Sequence, residues 1–144
     1  MATPTPSPAA APLDLVIFGG VGDLSVRKLL PALYMAHQHG NLPQATRIHV
    51  LGRQRWEREA FLGFIQDKTL GFIEEAHFDA AAWAGFLDRL CHACVDATQA
   101  PDFEALAAAL QPGADRVYYL ATAPSLFVGI CAHLHSAGLV DARA

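Results

Sequence analysis

A run of glycines near the amino terminus is the first feature with the residue types for binding chemistry. Gly19, Gly20 and Gly22 follow directly on the apolar residues 15–18, and Ser25 lies three positions beyond Gly22. Glycine lets the backbone turn tightly at positive φ and lets a ligand approach the bare main chain. Backbone N–H groups at the start of a following helix would point at the same place. The stretch therefore predicts a turn that binds a phosphate or pyrophosphate.

The spacing of these small residues is a variant of a known nucleotide-binding pattern. Gly-x-x-Gly-x-x-Ser places a small residue in the third position, where a helix packs closely on a strand. No Gly-Lys-Ser/Thr follows, so the turn is not a P-loop. A pattern this short also occurs in tight turns that bind nothing, and both interpretations stay open on the motif alone.

The elements on either side would position the turn. The continuous apolar residues 15–18 are typical of a strand that is buried on both faces of a parallel sheet. Leucines at roughly helical spacing predict a helix over residues 23–38, and Gly40 is a suitable stop. Pro31 lies inside that range and lacks an N–H group, so we expect a kink there.

The end of the second predicted strand carries the next candidate. Residues 47–52 are predicted to form a strand, which Arg53, Gln54 and Arg55 follow. In a dinucleotide-binding unit, an acidic residue at this point accepts hydrogen bonds from the free ribose 2′-hydroxyl. The guanidinium group of Arg53 suits a 2′-phosphate instead, which favours NADP over NAD. The alternative is an exposed loop arginine without a ligand.

A longer string identifies a family. Residues 18–34 read Phe-Gly-Gly-Val-Gly-Asp-Leu-Ser-Val-Arg-Lys-Leu-Leu-Pro-Ala-Leu-Tyr. The string closely resembles the opening of glucose-6-phosphate dehydrogenase, whose first turn reads Gly-x-x-Gly-Asp-Leu-Ala and continues into a basic pair, leucine, proline and an aromatic residue. Residues 117–127 resemble the fourth strand of that family and the loop after it.

The resemblance implies an α/β fold, namely a Rossmann-type doubly wound parallel sheet, truncated after about four strands. Its strand order is 3-2-1-4, with a short third strand near residues 91–94 and the fourth at 116–121. The first twelve residues, rich in alanine, proline, serine and threonine, are predicted to be a disordered lead. Residues 13–144 are then a partial NADP-binding domain.

The resemblance also assigns roles to individual residues. It assigns cofactor binding to three loops. The first contains Gly19, Gly20, Val21, Gly22, Asp23, Leu24 and Ser25, the second contains Arg53 and Gln54, and the third contains Ala121 and Thr122. Lys28 matches a lysine near the sugar and the nicotinamide, where its positive charge would orient the substrate hydroxyl. The alternative for Lys28 is a helix-surface lysine.

The family activity is the oxidation of glucose 6-phosphate to 6-phosphogluconolactone with NADP, in the pentose phosphate pathway. The cofactor supplies the redox chemistry, and the protein positions it and supplies a base. The family's Arg-x-x-x-Glu-Lys-Pro and Asp-His-Tyr-x-Gly-Lys motifs, the second with the base histidine, do not occur in these 144 residues. We therefore assign no catalytic residue and expect this chain to be inactive alone.

Two other functions stay open, a free-standing nucleotide-binding or regulatory module and a non-functional product of a shortened gene. A short-chain reductase is not supported, because none of the three tyrosines has a lysine four residues later. The expected partners are NADP and, in a full-length parent, glucose 6-phosphate. The fourth strand would leave an apolar sheet edge, which predicts self-association.

Composition and charge narrow the possible partners and the location of the protein. The net charge of −4 without a basic block argues against nucleic acid. No apolar run approaches the roughly 18 residues of a membrane span, and the start lacks the pattern of a secretory signal. Together with an odd number of cysteines, this makes a cytoplasmic location the expectation.

Two spacings suggest metal ligands but do not complete a site. Cys91 and Cys94 form a C-x-x-C pattern, but no second cysteine pair is present for a zinc site. His37 and His39 are two residues apart, which puts them on different faces of a helix. We assign no metal and predict these histidines to be solvated surface residues.

Overall fold

A four-stranded parallel sheet forms the centre of the molecule. The computed structural model describes residues 12–140, so most of the predicted lead at residues 1–12 lies outside the described residues. The strands are β1 (Leu13–Phe18), β2 (Thr46–Gly52), β3 (Leu90–Cys94) and β4 (Asp115–Leu120), in the spatial order β3-β2-β1-β4. The predicted fold class and strand order are confirmed.

Within residues 12–140, five α-helices cover both faces of this sheet. They are α1 (Leu30–Gln38), α2 (Arg58–Thr69), α3 (Ala80–Asp88), α4 (Ala100–Ala109) and α5 (Phe127–Ser136). The first three pack with Ile17 and Val50 in one core, and the last two pack with Val16 and Phe18 in the other. Apolar side chains on both faces explain why β1 has a continuous apolar run. Within residues 12–140, no helix has the length and apolarity that a bilayer crossing requires.

The helix after the glycine turn begins with an unusual turn. Residues Ser25–Leu29 are π-helical, with the N–H of Leu30 donating to the carbonyl of Ser25, and α1 then has Pro31 in its first turn. Helical residues run without a break over 23–38, as predicted, and the disturbance expected at Pro31 takes the form of this π-helical turn. The wider turn lies directly before Pro31, whose ring would clash with the carbonyl of the preceding turn in a regular α-helix.

Prolines lie at the starts of two further helical segments. The helix α4 has Pro101 in its first turn, where proline is tolerated. A 3₁₀ turn over Pro124–Leu126 precedes α5.

A buried carboxylate holds the amino ends of the strands together. Asp14 on β1 is fully buried, and its oxygens accept hydrogen bonds from His49 Nε2 at 2.8 Å and from the backbone N–H of Gln111 at 2.6 Å. The side-chain amide of Gln111 donates to the same carboxylate at 3.0 Å. Since a buried charge is costly unless it is paired and hydrogen-bonded, this cluster fixes β1 to β2 and to the loop before β4.

His37 is not the solvated surface histidine that the sequence predicted. It is half-buried at the end of α1, and its Nδ1 accepts a hydrogen bond of 2.9 Å from Arg89 Nε. The guanidinium of Arg89 also donates to the carbonyls of Pro43 and Thr46. Burial, and then the positive charge of Arg89, lower the pKa of His37 from its ordinary value of 6.5. The neutral imidazole is therefore part of the folded contact.

The pH dependence of stability tests this contact. Because the pKa of His37 is lower in the folded chain, the unfolded chain binds this proton first as the pH falls. The free energy of unfolding should decrease as the pH falls below about 6.5 and level off below the folded pKa. Urea unfolding at pH values across this range is expected to show a smaller decrease in His37→Gln than in the wild type. The exposed His135 provides the control, since His135→Gln should retain the wild-type decrease; identical profiles for His37→Gln and wild type would contradict the assignment.

Candidate nucleotide-binding site

A cavity of about 350 Å³ opens at the carboxyl ends of the strands. The ends of β1 and β2 and the loops after β3 and β4 form its walls, with lining residues that include Phe18, Gly19, Val21, Gly22, Leu51, Gly52, Arg53, Val95, Asp96, Ala97, Thr98 and Thr122. Ligands of doubly wound sheets bind in such a crevice, where the winding reverses between β1 and β4. The cavity is therefore the candidate site.

Gly19 is where the turn touches the loop after β4. Its φ is +73°, and a Cβ atom there would lie 2.6 Å from the carbonyl oxygen of Ala121. The N–H of Ala121 donates to the carbonyl of Phe18 at 2.9 Å, which continues the β1–β4 pairing beyond the strand ends. Only glycine satisfies both the backbone conformation and the close approach at this position.

Gly20 has a similar packing role on the other side of the turn. A Cβ atom there would lie 2.6 Å from Cγ1 of Val50, and its N–H donates to the carbonyl of Leu51 at 2.9 Å. The residue does not line the cavity. Its lack of a side chain therefore lets the turn lie against β2.

Gly22 differs from both. The nearest atom to a Cβ there is the carbonyl oxygen of Gly19 at 3.2 Å, and the residue lines the cavity. Its backbone conformation does not demand glycine, and a Cβ there would make a tight contact that needs only a small shift of this oxygen. The missing side chain also leaves room for a ligand to approach the main chain.

The backbone of this turn offers unsatisfied donors. The N–H of Gly22 donates to the carbonyl of Gly19. Within residues 12–140, four other N–H groups at the start of the helix have no hydrogen-bond partner, those of Val21, Asp23, Leu24 and Ser25. The helix dipole adds a partial positive charge at the same end. The turn is therefore a candidate site for an anion.

Arg53 lines the cavity from the end of β2, and its side chain is exposed. Among residues 12–140 its guanidinium has no hydrogen bond or salt bridge, so its donors are available to a ligand. Gln54 does not line the cavity, but its backbone carbonyl accepts a hydrogen bond from His92 at 3.0 Å.

The loop after β3 was missed by the sequence analysis. Asp96, Ala97 and Thr98 line the cavity. The carboxylate of Asp96 accepts hydrogen bonds from the backbone N–H of Thr98 at 2.9 Å and from its hydroxyl at 2.7 Å. These bonds, together with the positive charge of Arg53, hold the pKa of Asp96 below its usual value. The sequence signal for this loop is an acidic residue, Asp96, two positions after the predicted third strand.

Several residues assigned from sequence lie away from the cavity. Gly20, Asp23, Leu24, Ser25, Lys28, Gln54 and Ala121 do not line it. Ser25 is fully buried, as its packing role requires, whereas Lys28 is exposed on the π-helical turn. Among residues 12–140, no group of three or more histidine, cysteine, aspartate or glutamate side chains is placed to hold a metal ion.

Several known proteins are similar to this chain in sequence. Residues 16–144 match the model of a family described as glucose-6-phosphate dehydrogenase, NAD binding domain. The glucose-6-phosphate 1-dehydrogenase of Mycolicibacterium smegmatis is 40% identical over 142 residues, which cover 94% of this chain and 28% of that protein. The same enzyme of Dickeya dadantii is 38% identical over 88% of this chain and 26% of its own length. The chain thus spans about a quarter of the curated relatives it matches.

Solved structures agree with the sequence matches. The crystal structure of glucose-6-phosphate 1-dehydrogenase from Mycobacterium avium superposes with a TM-score of 0.81 at 27% identity, over 92% of this chain and 28% of that one. A glucose-6-phosphate dehydrogenase solved in complex with its substrate glucose-6-phosphate superposes over 99% of this chain and 30% of its own, with a TM-score of 0.78. At 24% identity, this second likeness concerns the fold alone.

Alanine substitutions at two glycines test the division of roles within the turn. Gly19→Ala should lower the free energy of unfolding by about 2–4 kcal/mol, because it combines a positive φ with a clash against Ala121. Gly22→Ala, the matched control, should change it by less than about 1 kcal/mol. Urea denaturation measures both; equal losses would contradict the assignment of Gly19 to packing and Gly22 to ligand access.

Proposed function

The chain belongs to the glucose-6-phosphate dehydrogenase family, and from this we propose that it forms the NADP-binding part of an enzyme that oxidises glucose 6-phosphate at C1. The family predicted from residues 18–34 is thereby confirmed. The complete reaction is proposed for a longer protein, because the chain spans about a quarter of the curated relatives. Residues 13–144 are proposed to be the partial cofactor domain.

The four unpartnered N–H groups of the glycine turn carry this proposal. The donor of Val21 belongs to a residue that lines the cavity, and those of Asp23, Leu24 and Ser25 follow Gly22, which also lines it, directly along the chain. The residues fit a dinucleotide: we assign its pyrophosphate to the turn from Gly19 to Ser25 and its adenosine ribose to the cavity beside Arg53. Thr122 and the backbone of Ala121 would bound the nicotinamide side.

We propose NADP as the preferred cofactor. Arg53 at the end of β2 has free donors for a 2′-phosphate, and charge-assisted bonds of this kind are about twice as strong as neutral ones. Asp96 lines the same cavity, and its charge would repel the phosphate. The preference is therefore a balance in which Arg53 outweighs Asp96.

The nicotinamide, when bound, accepts the hydride. We propose that this chain binds and orients the nicotinamide. We also propose that Lys28, on the exposed side of the π-helical turn, orients the hydroxyl of glucose 6-phosphate. None of the seven histidines, all of which lie in residues 12–140, lines the cavity. The general base must therefore come from another part of the longer protein, and no turnover is expected from these 144 residues alone.

A cytoplasmic location is part of the proposal. Cys91, Cys94 and Cys131 are all free thiols. Free cysteines are usual in the reducing cytoplasm and uncommon in secreted proteins, which supports this assignment.

The test of cofactor choice is calorimetric titration of the chain with NADP and with NAD. The wild type should prefer NADP, and Arg53→Ala should reduce that preference by about 1–3 kcal/mol, the contribution expected of a charge-assisted contact. Arg55→Ala is the matched control, since Arg55 lies two residues away and does not line the cavity. Gly22→Ala should weaken both cofactors alike, because the pyrophosphate is common to them. A wild-type chain that binds neither cofactor would refute the proposal.

We also propose that the chain associates with itself through β4. Within residues 12–140, β4 pairs only with β1, and Val117 and Tyr119 are 47% and 42% exposed. Beside them lies an apolar groove of about 200 Å³ that Leu15, Leu29, Leu33 and Tyr119 help to line. An edge strand with exposed apolar side chains favours pairing with another strand.

Light scattering after size-exclusion chromatography tests this association over a range of protein concentrations. The mass should rise with concentration in the wild type, and Val117→Lys should shift the chain toward monomer because a charged edge discourages strand pairing. Val128 on α5 is 82% exposed, so Val128→Lys is the control for an added surface charge. A strictly monomeric wild type at the highest concentration would contradict the proposal.

A further inference from the structure

Three consecutive carbonyl groups, from the last residue of β2 onward, are each held by a donor from β3 or from the residue that follows it. The carbonyl of Gly52 accepts from the backbone N–H of Val95 at 2.8 Å. The carbonyl of Arg53 accepts from the thiol of Cys94 at 3.3 Å, and that of Gln54 accepts from His92 Nε2 at 3.0 Å. Two of these donors are side chains, so the contacts depend on the residue types of β3 as well as on sheet pairing.

His92 makes a second contact of the same kind. Its Nδ1 lies 3.1 Å from the carbonyl oxygen of Val50, so each ring nitrogen faces a backbone carbonyl. A carbonyl only accepts, and a neutral imidazole has one N–H. Both contacts are hydrogen bonds at once only when the ring carries two protons. The ring of Phe61 stacks on the imidazole with a centroid distance of 5.0 Å and holds its orientation.

Among residues 12–140 the guanidinium of Arg53 makes no hydrogen bond or salt bridge and interacts with Asp96 only through charge, so the backbone decides where it reaches the cavity. A turn held at Gly52, Arg53 and Gln54 gives that side chain a fixed base. If the turn moved, the charge would still be present, but it would no longer be positioned toward one point in the cavity. Charge-assisted recognition of a phosphate loses strength when its geometry is lost.

We infer that His92, assisted by Cys94, is a positioning residue that holds the turn carrying Arg53 and thereby sets the preference for NADP over NAD. The inference rests on the proposed function, since it concerns selectivity at that site. It also gives Cys94 a role other than the metal or redox motif that its C-x-x-C spacing suggests.

Two substitutions at His92 test this inference. His92→Gln keeps an amide donor for the turn, and His92→Leu has no donor. Calorimetry of the 144-residue chain would give the ratio of the NAD and NADP dissociation constants for each variant. Cys94→Ala provides an independent loosening of the same turn.

His92→Leu should reduce the NADP preference about five-fold or more, which corresponds to the loss of one hydrogen bond of ordinary strength. His92→Gln should retain most of the preference.

A second readout needs no cofactor. Trypsin cleaves after arginine, and the turn contains Arg53 and Arg55, so His92→Leu should be cut there several-fold faster than the wild type, and His92→Gln close to the wild-type rate. If His92→Leu does not fold, Cys94→Ala decides, since it should also lower the NADP preference and speed the cleavage.

An NADP preference that Arg53→Ala abolishes but that His92→Leu and Cys94→Ala leave unchanged would overturn the inference and leave the proposed function standing. A wild type with no NADP preference would overturn both.

Discussion

The close approach of Gly19 to Ala121 is the constraint on which the site depends. No other residue fits a backbone at φ +73° with the carbonyl oxygen of Ala121 only 2.6 Å from where a Cβ would lie. Because the turn can pass this point, β1 and β4 stay paired up to their last residues, and Val21 and Gly22, which line the crevice, then lead directly into the helix. The proposed anion site depends on the missing side chain at Gly19 as much as on the helix itself.

The two ends of the sheet satisfy their polar groups in opposite ways. At the amino end, the buried carboxylate of Asp14 receives donors from His49 and Gln111, and no further ligand is needed. At the carboxyl end, backbone donors are left without partners among residues 12–140. A closed, internally bonded end gives the sheet its rigidity, and this allows the other end to leave donors for a ligand. The asymmetry explains why only one end is a candidate site.

The proposed cofactor selection is divided among three segments. Arg53 supplies positive charge from the end of β2, Asp96 supplies an opposing charge from the loop after β3, and β3 itself contacts the backbone from which Arg53 extends. Arg53 lies far in sequence from the other two segments, which are neighbours. On this proposal, selectivity for a phosphate is a property of how β2 and β3 lie together, since a long, flexible arginine is useful only where its base is fixed.

The sequence by itself determined the β1 strand, the glycine turn and the arginine after β2, because local patterns of apolar residues, glycine and charge specify each within a few positions. The string at residues 18–34 also determined the family and, through it, the strand order. Only the tertiary structure decided that Asp96 and Thr98 line the cavity, that His37 is bonded to Arg89 and that His92 holds the turn after β2. Each of these depends on residues about 40 or more positions apart, and no local pattern records which side chains the packed sheet brings together.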